Sequence, residues 1–285
     1  MTRVGLVVHA GRPEAVRAAD GIAAWLGERG VETRPFAGAD TSDEARAATF
    51  VDGLDLVVSV GGDGTFLRAA HLASRGSCPV LGVKVGRLGF LTETDPDGAH
   101  RLLERWLAGS LPLEDRIAVE AVAVGAPWSV AQWALNEVIV EKRSRHRLVR
   151  LALFVDDVYV TTFSADGVIV ATPTGSTAYS FSSGGPIVSP SVGCLVVTPI
   201  AAHMVFDRSL VLDARARVRL EVVGEEHGLL SADGRESLEL PVGSAVEIHR
   251  APTPARFVRP EDAPPFHALV RDKFDLPGDP VAPGD

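Results

Sequence analysis

Asp63 is the one ionisable side chain in the run Gly61-Gly62-Asp63-Gly64-Thr65. Three glycines in four positions let a ligand come close to the backbone, and their amides can converge on one spot. Leu54 to Val60, before the run, is apolar and β-branched, as in a strand covered on both faces. After it, Phe66, Leu67, Ala70 and Ala73 recur at helical spacing. The turn therefore lies at a helix N-terminus, where oriented N–H groups and the helix dipole favour phosphate. This makes Gly61, Gly62, Gly64 and Thr65 candidate ligands of a donor phosphate. A carboxylate among such amides repels phosphate, which points Asp63 towards a hydroxyl proton or a metal. The same residue types also build ordinary tight turns, so the context has to decide. No Gly-Lys-Ser/Thr follows, which excludes a Walker loop.

Two further constellations stand out. In Leu135-Asn136-Glu137-Val138 an amide and a carboxylate sit side by side just before a strong strand. Adjacent strand residues face opposite ways, so both can serve a ligand only if the backbone bends there; a solvated loop edge is the plainer reading. Further on, Ser164-Ala165-Asp166-Gly167 leads into an apolar strand that ends in Thr172-Pro173-Thr174-Gly175-Ser176-Thr177-Ala178-Tyr179-Ser180-Phe181-Ser182. That run offers hydroxyls and amides at a helix start, and the Tyr179 ring could lie against a base or a sugar. The dense basic patch Lys142 to Arg147 would by default be a solvated face; its position after Asn136-Glu137 favours phosphate steering by Arg147. Lys84 and Arg87 close the strand next to the glycine run and could meet donor phosphates. His71 and His203 read as structural. No His/Cys/Asp/Glu set has ligand spacing for a fixed metal.

The elements that must position these residues fall into two textures. Up to about residue 112, short apolar strands alternate with helical patterns: a strand at Val4 to Val8, a helix from Pro13 stopped by Gly30, a weaker strand at Val31 to Phe36 and a capping box at Thr41 and Glu44. The glycine-run strand and its helix follow, then a strand at Pro79 to Val85 and a helix from Asp95-Pro96 closed by Gly109. Such alternation predicts a parallel, doubly wound, Rossmann-like α/β domain with ligands beyond the carboxyl ends of its strands. From 113 to 255 alternation of period two takes over, which predicts an all-β, sandwich-like domain with hairpin turns at Asp156-Asp157 and Asp233-Gly234. The stretch 256–276, with Phe257, Phe266, Leu269 and Phe274, is too apolar for a free linker and is expected to return onto the α/β domain; 277–285 reads as a disordered tail.

Composition removes several function classes. The chain has 285 residues and a net charge of -9, without the broad basic face that nucleic acid or an anionic membrane requires. Two cysteines in apolar surroundings suit buried thiols in a reducing compartment. No apolar run of about 18 residues is present and the N-terminus carries no signal-like region, so the expected location is cytoplasmic.

The order Gly-Gly-Asp-Gly-Thr at 61–65, Leu-Asn-Glu at 135–137, Asp-Gly at 166–167, Thr-Pro-Thr-Gly-Ser-Thr-Ala-Tyr at 172–179 and Gly-Gly-Pro at 184–186 resembles the NAD kinase family from about Val4 to Phe274. Diacylglycerol and sphingosine kinases share the first motif but not the Thr-Pro-Thr-Gly-Ser-Thr-Ala-Tyr run. The resemblance implies ATP or inorganic polyphosphate as donor, Mg²⁺ arriving with the donor, transfer to the 2′-hydroxyl of the adenosine ribose of NAD, and assembly as dimers or tetramers with part of the NAD site at the interface. By position it implies Asp63 as proton acceptor, with Gly64, Arg68, Asn136, Glu137, Arg147, Asp166, Thr177, Ala178, Tyr179, Ser180, Phe181 and Ser182 contacting the dinucleotide. Met204, Ser209 and Arg235 stand where the family usually has a small polar residue, a proline and a glutamine-like ligand, so the 202–209 loop and Arg235 carry no assigned role. The alternatives are a lipid or other small-molecule kinase of the same superfamily and a non-catalytic NADP(H)-binding regulator.

Overall fold

The computed structural model describes residues 2–36, 43–86, 89–128, 131–235 and 237–277. The chain divides into two compact units, Met1–Asp115 with Ala255–Asp285, and Arg116–Pro254. The first break falls at 115/116 rather than 112/113 because Leu113–Arg116 is an edge strand of the first unit's sheet. The second falls at 254/255 because Ala255 opens a strand of that same sheet. Arg87 and most of the expected tail, 278–285, lie outside the described residues.

The first unit runs β1 (Arg3–Val8), α1 (Pro13–Gly27), β2 (Glu32–Phe36), α2 (Glu44–Val51), β3 (Leu56–Gly61), α3 (Asp63–Ser74), β4 (Val80–Lys84), α4 (Pro96–Leu107) and β5 (Leu113–Arg116). The helices start where charge and proline allow. Pro13 opens α1 and Pro96 opens α4, where a missing N–H costs nothing, and the Asp95 carboxylate accepts from Gly98 N at 2.9 Å. Thr41 of the expected capping box lies outside the described residues; the cap of α2 is Asp43, which accepts from Arg46 N at 3.0 Å. A charged cap suits the positive end of the helix dipole.

The sheet order is β2-β1-β3-β4, then the strand Ala255–Val258, then β5, with β1 to β4 parallel. The chain leaves β1 towards β2 on one side and reaches β3 on the other. The order thus reverses between β1 and β3, and a crevice opens there beyond their carboxyl ends. Ala15, Ala19, Ile22 and Leu26 of α1 and Leu102 and Leu103 of α4 bury against Val4, Leu6, Val58, Val60 and Leu81 of the sheet.

Residues after 254 complete this unit. Ala255–Val258 lies parallel to β4, and Phe257 meets Phe66 of α3 edge to face at 4.8 Å between ring centroids. Arg259 pairs with Glu93 at 2.8 Å and Glu114 at 3.0 Å. Phe266 and Phe274, at either end of the helix Phe266–Lys273, flank Phe90.

The second unit holds β6 (Val119–Val124), β7 (Gln132–Ala134), β8 (Glu137–Lys142), β9 (Val149–Val155), β10 (Val158–Ala165), β11 (Gly167–Ala171), the short α5 (Tyr179–Ser182), β12 (Cys194–Ile200), β13 (Leu210–Asp213), β14 (Val218–Val223), β15 (Gly228–Ala232), β16 (Leu238–Leu240) and β17 (Ala245–Arg250). They form two six-stranded antiparallel sheets, β10-β9-β14-β17-β6-β7 and β13-β12-β11-β8-β15-β16. Val119, Ala121, Leu151, Leu153, Val218 and Leu220 of one meet Val138, Val140, Val168, Val170 and Leu195 of the other in a common core. That is the sandwich the alternation predicts. Asp156 and Asp157 have φ of 48° and 65°, and Asp233 and Gly234 of 49° and 68°, the signs a two-residue hairpin turn needs. Cys78 and Cys194 are buried, free thiols. No helix among the described residues is long and apolar enough to cross a membrane.

Because Phe257 is fully buried against Phe66, Phe257→Ala is expected to destabilise the first unit by about 3–5 kcal/mol. Urea denaturation followed by circular dichroism should show the transition midpoint moving down accordingly.

Candidate active site

In the first unit the crevice between β1 and β3 is a cavity of about 540 Å³, lined by His9, Ala10, Gly11, Arg12, Gly62, Asp63, Gly64, Thr65 and Arg68. Gly62 caps α3, Asp63 opens it, and Arg68 projects from its second turn. The helix thus offers its free amides to the cavity. Arg68 donates to Val8 O at 3.4 Å, and burial lowers its guanidinium from its ordinary pKa. Arg12 donates to Val85 O at 2.8 Å. The sequence reading missed His9 and Arg12; the signal was there, since they follow the first strand of a doubly wound pattern, where ligands are expected. Thr65 is buried in the cavity wall, its hydroxyl without a hydrogen-bond partner and so close to Gly61 that a Cβ there would stand 2.5 Å away. Gly61 is buried as well, with its carbonyl taken by Val85 N at 2.8 Å.

Asp63 has a structural task beyond the glycine turn. Its carboxylate accepts from Phe90 N at 3.0 Å and Leu91 N at 3.4 Å, which fixes the backbone after β4 beside the start of α3. The approach is so close that a Cβ at Gly89 would overlap the carboxylate. One bond to each oxygen leaves further lone pairs for a ligand hydroxyl.

In the second unit the bend at Leu135-Asn136 joins β7 to β8, and every backbone group of the bend is accounted for. The carbonyls of Leu135 and Asn136 accept from Thr172 Oγ1 at 2.6 Å and Thr172 N at 2.8 Å. The amides of Leu135, Asn136 and Glu137 all go to the Asp233 carboxylate, at 2.7, 2.8 and 3.2 Å. Gly175 packs so tightly on the Asn136 carbonyl that any side chain there would overlap it. Asn136 and Glu137 are consequently both buried, with Asn136 Oδ1 and Glu137 Oε2 lacking a hydrogen-bond partner. The bend that the side-by-side amide and carboxylate require is present, and the solvated loop edge is not. Asp233, expected only as a turn residue, is its anchor.

The cluster crowds several carboxyl groups together, which favours their protonated forms. Burial first, then the nearby Asp233, pushes the Glu137 carboxyl up to about 8, against the opposing hydrogen bond from the Tyr179 amide. Burial also raises Asp233, opposed by Arg235 and the three amides. The Tyr179 hydroxyl is raised by burial and by Glu141, Asp166 and Glu137 around it. Lys142 offsets part of this through an ion pair to Asp166. The structure therefore brings Asn136, Glu137, Asp166 and Tyr179 together and adds Lys142 and Asp233. Tyr179, Phe181 and Ser182 are exposed, and Thr177 and Ala178 half-buried. Ser180 is not presented to a ligand: it is fully buried, with its hydroxyl 3.1 Å from Thr198 Oγ1. Arg147 stands apart on the surface, paired with Glu226 at 2.7 Å.

Residues 4–111 match the family model of the ATP-NAD kinase N-terminal domain, and residues 135–260 that of the ATP-NAD kinase C-terminal domain. The chain belongs to the NAD kinase family. It is 39% identical over 285 residues to NAD kinase 2 of Streptomyces avermitilis, covering 96% of this chain and 94% of that protein. It is 45% identical over 227 residues to the NAD kinase of Rhodococcus erythropolis, 79% of this chain and 72% of that one. Among solved structures, the Archaeoglobus fulgidus NAD kinase in complex with ATP superposes with a TM-score of 0.76 at 27% identity, over 97% of this chain and 99% of that chain. Yeast NADH kinase complexed with NADH superposes with a TM-score of 0.88 over 99% and 90% of the two chains; at 23% identity it speaks to the fold alone.

Three residues that depart from the usual NAD kinase pattern have structural partners. Ser209 extends a buried hydroxyl chain, Ser180 to Thr198 to Ser209, the last step 3.0 Å. Met204 packs at the edge of the sandwich core. Arg235 bonds the Trp133 carbonyl and faces Asp233 at 3.9 Å, so it braces the Asn136-Glu137 bend from behind.

A Glu137 carboxyl that titrates near 8 when folded and near 4.5 when unfolded binds more protons in the folded state between those values. Stability then falls as pH rises through that window. In Glu137→Gln this contribution is gone, so the melting temperature of the wild type should drop relative to the variant between pH 4.5 and 8, as differential scanning fluorimetry across pH would record.

Proposed function

We propose roles for the two clusters in the reaction of the family, transfer of phosphate from ATP to NAD to give NADP. The observation that carries the reading is the glycine turn at the reversal point of a parallel sheet, with one carboxylate among helix-terminal amides. The amides at the start of α3 with Arg12 and Arg68 hold the donor's phosphate chain. This recognition reads phosphates rather than a base, which supports inorganic polyphosphate as an alternative donor. The second cluster is rich in hydrogen-bonding groups, with acceptors at Asn136 Oδ1 and Asp166 and a Glu137 carboxyl that is largely protonated at neutral pH, so it suits hydroxyl and amide groups, as on the ribose and base of NAD, with the Tyr179 ring against a flat face.

Phosphoryl transfer is eased mainly by positioning and by neutralising charge. Asp63 orients the 2′-hydroxyl and takes its proton as the new O–P bond forms and the bond from the γ-phosphorus to the bridging oxygen of ATP breaks, with ADP as the leaving group. The Phe90 and Leu91 amides keep that carboxylate from rotating away. Among the described residues no group of three or more His, Cys, Asp or Glu could hold a metal. A donor-delivered Mg²⁺, held by phosphate oxygens and water with Asp63 the carboxylate within the cavity, fits that donor set; its contribution is charge neutralisation.

A homo-oligomer is supported by β10, an edge strand whose Val158, Tyr159 and Val160 are exposed, an apolar strand edge that a second copy would cover. Two buried free thiols fit a reducing compartment such as the cytoplasm. Nothing in the comparisons or the geometry favours a lipid acceptor or a silent regulator.

Asp63→Asn loses basicity and charge and also turns its amide nitrogen towards the Phe90 or Leu91 N–H, so kcat should fall by at least about 10²- to 10⁴-fold, with a smaller change in NAD affinity from the displaced backbone. A coupled assay of NADP formation from NAD, ATP and Mg²⁺ checks this. Near-normal kcat would remove Asp63 from the proton-accepting role and turn attention to Glu137.

A further inference from the structure

We propose that Asp233 is the positioning residue of the NAD-binding cluster, holding the Leu135-Asn136-Glu137 backbone in the bend that keeps both side chains available to the dinucleotide. The proposal rests on the NAD kinase reading of that cluster. The turn that Asp233 occupies does not require a carboxylate. A left-handed residue before Gly234 is supplied at least as well by asparagine, and the buried negative charge is costly.

The charge has a use in three consecutive amides. Leu135 N donates to Oδ2, and Asn136 N and Glu137 N donate to Oδ1. A strand would send alternate amides to opposite sides; three in a row onto one group is possible only in a bend. Charge-assisted bonds of this kind are about twice as strong as neutral ones. The anchor is itself fixed, since Asp233 N donates to Glu137 O at 3.1 Å and Arg235 lies against its carboxylate while bonding Trp133 O. Two elements thus clamp the bend: Thr172 takes its carbonyls and Asp233 its amides. Asp233 is 98 residues from Leu135 and acts through this backbone and through its charge beside Glu137.

Asp233→Asn isolates the role. It keeps the turn, but its amide nitrogen turns a donor towards at least one of the three N–H groups. KM for NAD should rise about 10- to 100-fold with kcat and KM for ATP changed less than about threefold. A second readout separates positioning from general loosening. Glu137 faces Asp233 and the Tyr179 amide, with Arg235 behind Asp233, and Glu141, Asp166 and Lys142 ring Tyr179. Removing the Asp233 charge should move the pH midpoint of KM for NAD to lower values. A folded variant with KM for NAD within twofold of wild type would overturn the proposal.

Hydrogen exchange on the wild-type protein tests the clamp without any variant. The amides of residues 135 to 137 should be protected like strand amides, and exchange at the rate of an open loop would overturn the proposal even if Asp233→Asn failed to fold. A wild-type protein that forms no NADP from NAD and ATP would instead refute the reading on which the proposal rests, and the exchange result would still decide the clamp.

Discussion

A backbone N–H buried without an acceptor is expensive, and the irregular segments that carry function in this protein are full of such groups. Both clusters meet the constraint with a carboxylate rather than another strand. Asp63 accepts from Phe90 and Leu91, and Asp233 from Leu135, Asn136 and Glu137. A carboxylate has several lone pairs and no donor of its own, so one side chain can gather amides that no regular ladder would serve. The loops are thereby as fixed as the strands they join. Asp63 combines this with a place in the phosphate cavity; Asp233 combines it with a charge beside Glu137.

The two clusters also divide charge. In an acidic chain, the cavity at the reversal point keeps Arg12, Arg68 and helix-terminal amides around one carboxylate. Around Tyr179 the balance is reversed, with Glu141 and Asp166 against Lys142.

Much of this was legible in the residues because it is written locally. The glycine run, the β-branched strand before it and the helical spacing after it are adjacent in sequence, and β3 and α3 follow them closely. The change from helical to alternating texture falls at about residue 113, and the two units divide at 115/116 and 254/255. What stayed hidden depends on partners far along the chain. Asp233-Gly234 looked sufficient as a turn, which masked an anchor for residues 98 positions away. Ser180 and Tyr179 are neighbours of similar promise, yet α5 has only four residues, too few for a periodicity to tell the buried hydroxyl from the exposed ring. Arg147 reads as a phosphate ligand, and only the fold shows Glu226 beside it.

The strand Ala255–Val258 lies between β4 and β5 although the chain makes it some 140 residues later than β5. During synthesis the sandwich, one continuous stretch from Arg116 to Pro254, has all its strands before this last one leaves the ribosome. The α/β unit does not. Until then β4 keeps an open ladder edge, and Phe66 waits for Phe257 with its ring uncovered. Closing that sheet is a long-range event and hence a slow one. A nascent chain at this stage carries a finished β domain beside an unfinished parallel sheet, the kind of species that chaperones and proteases recognise.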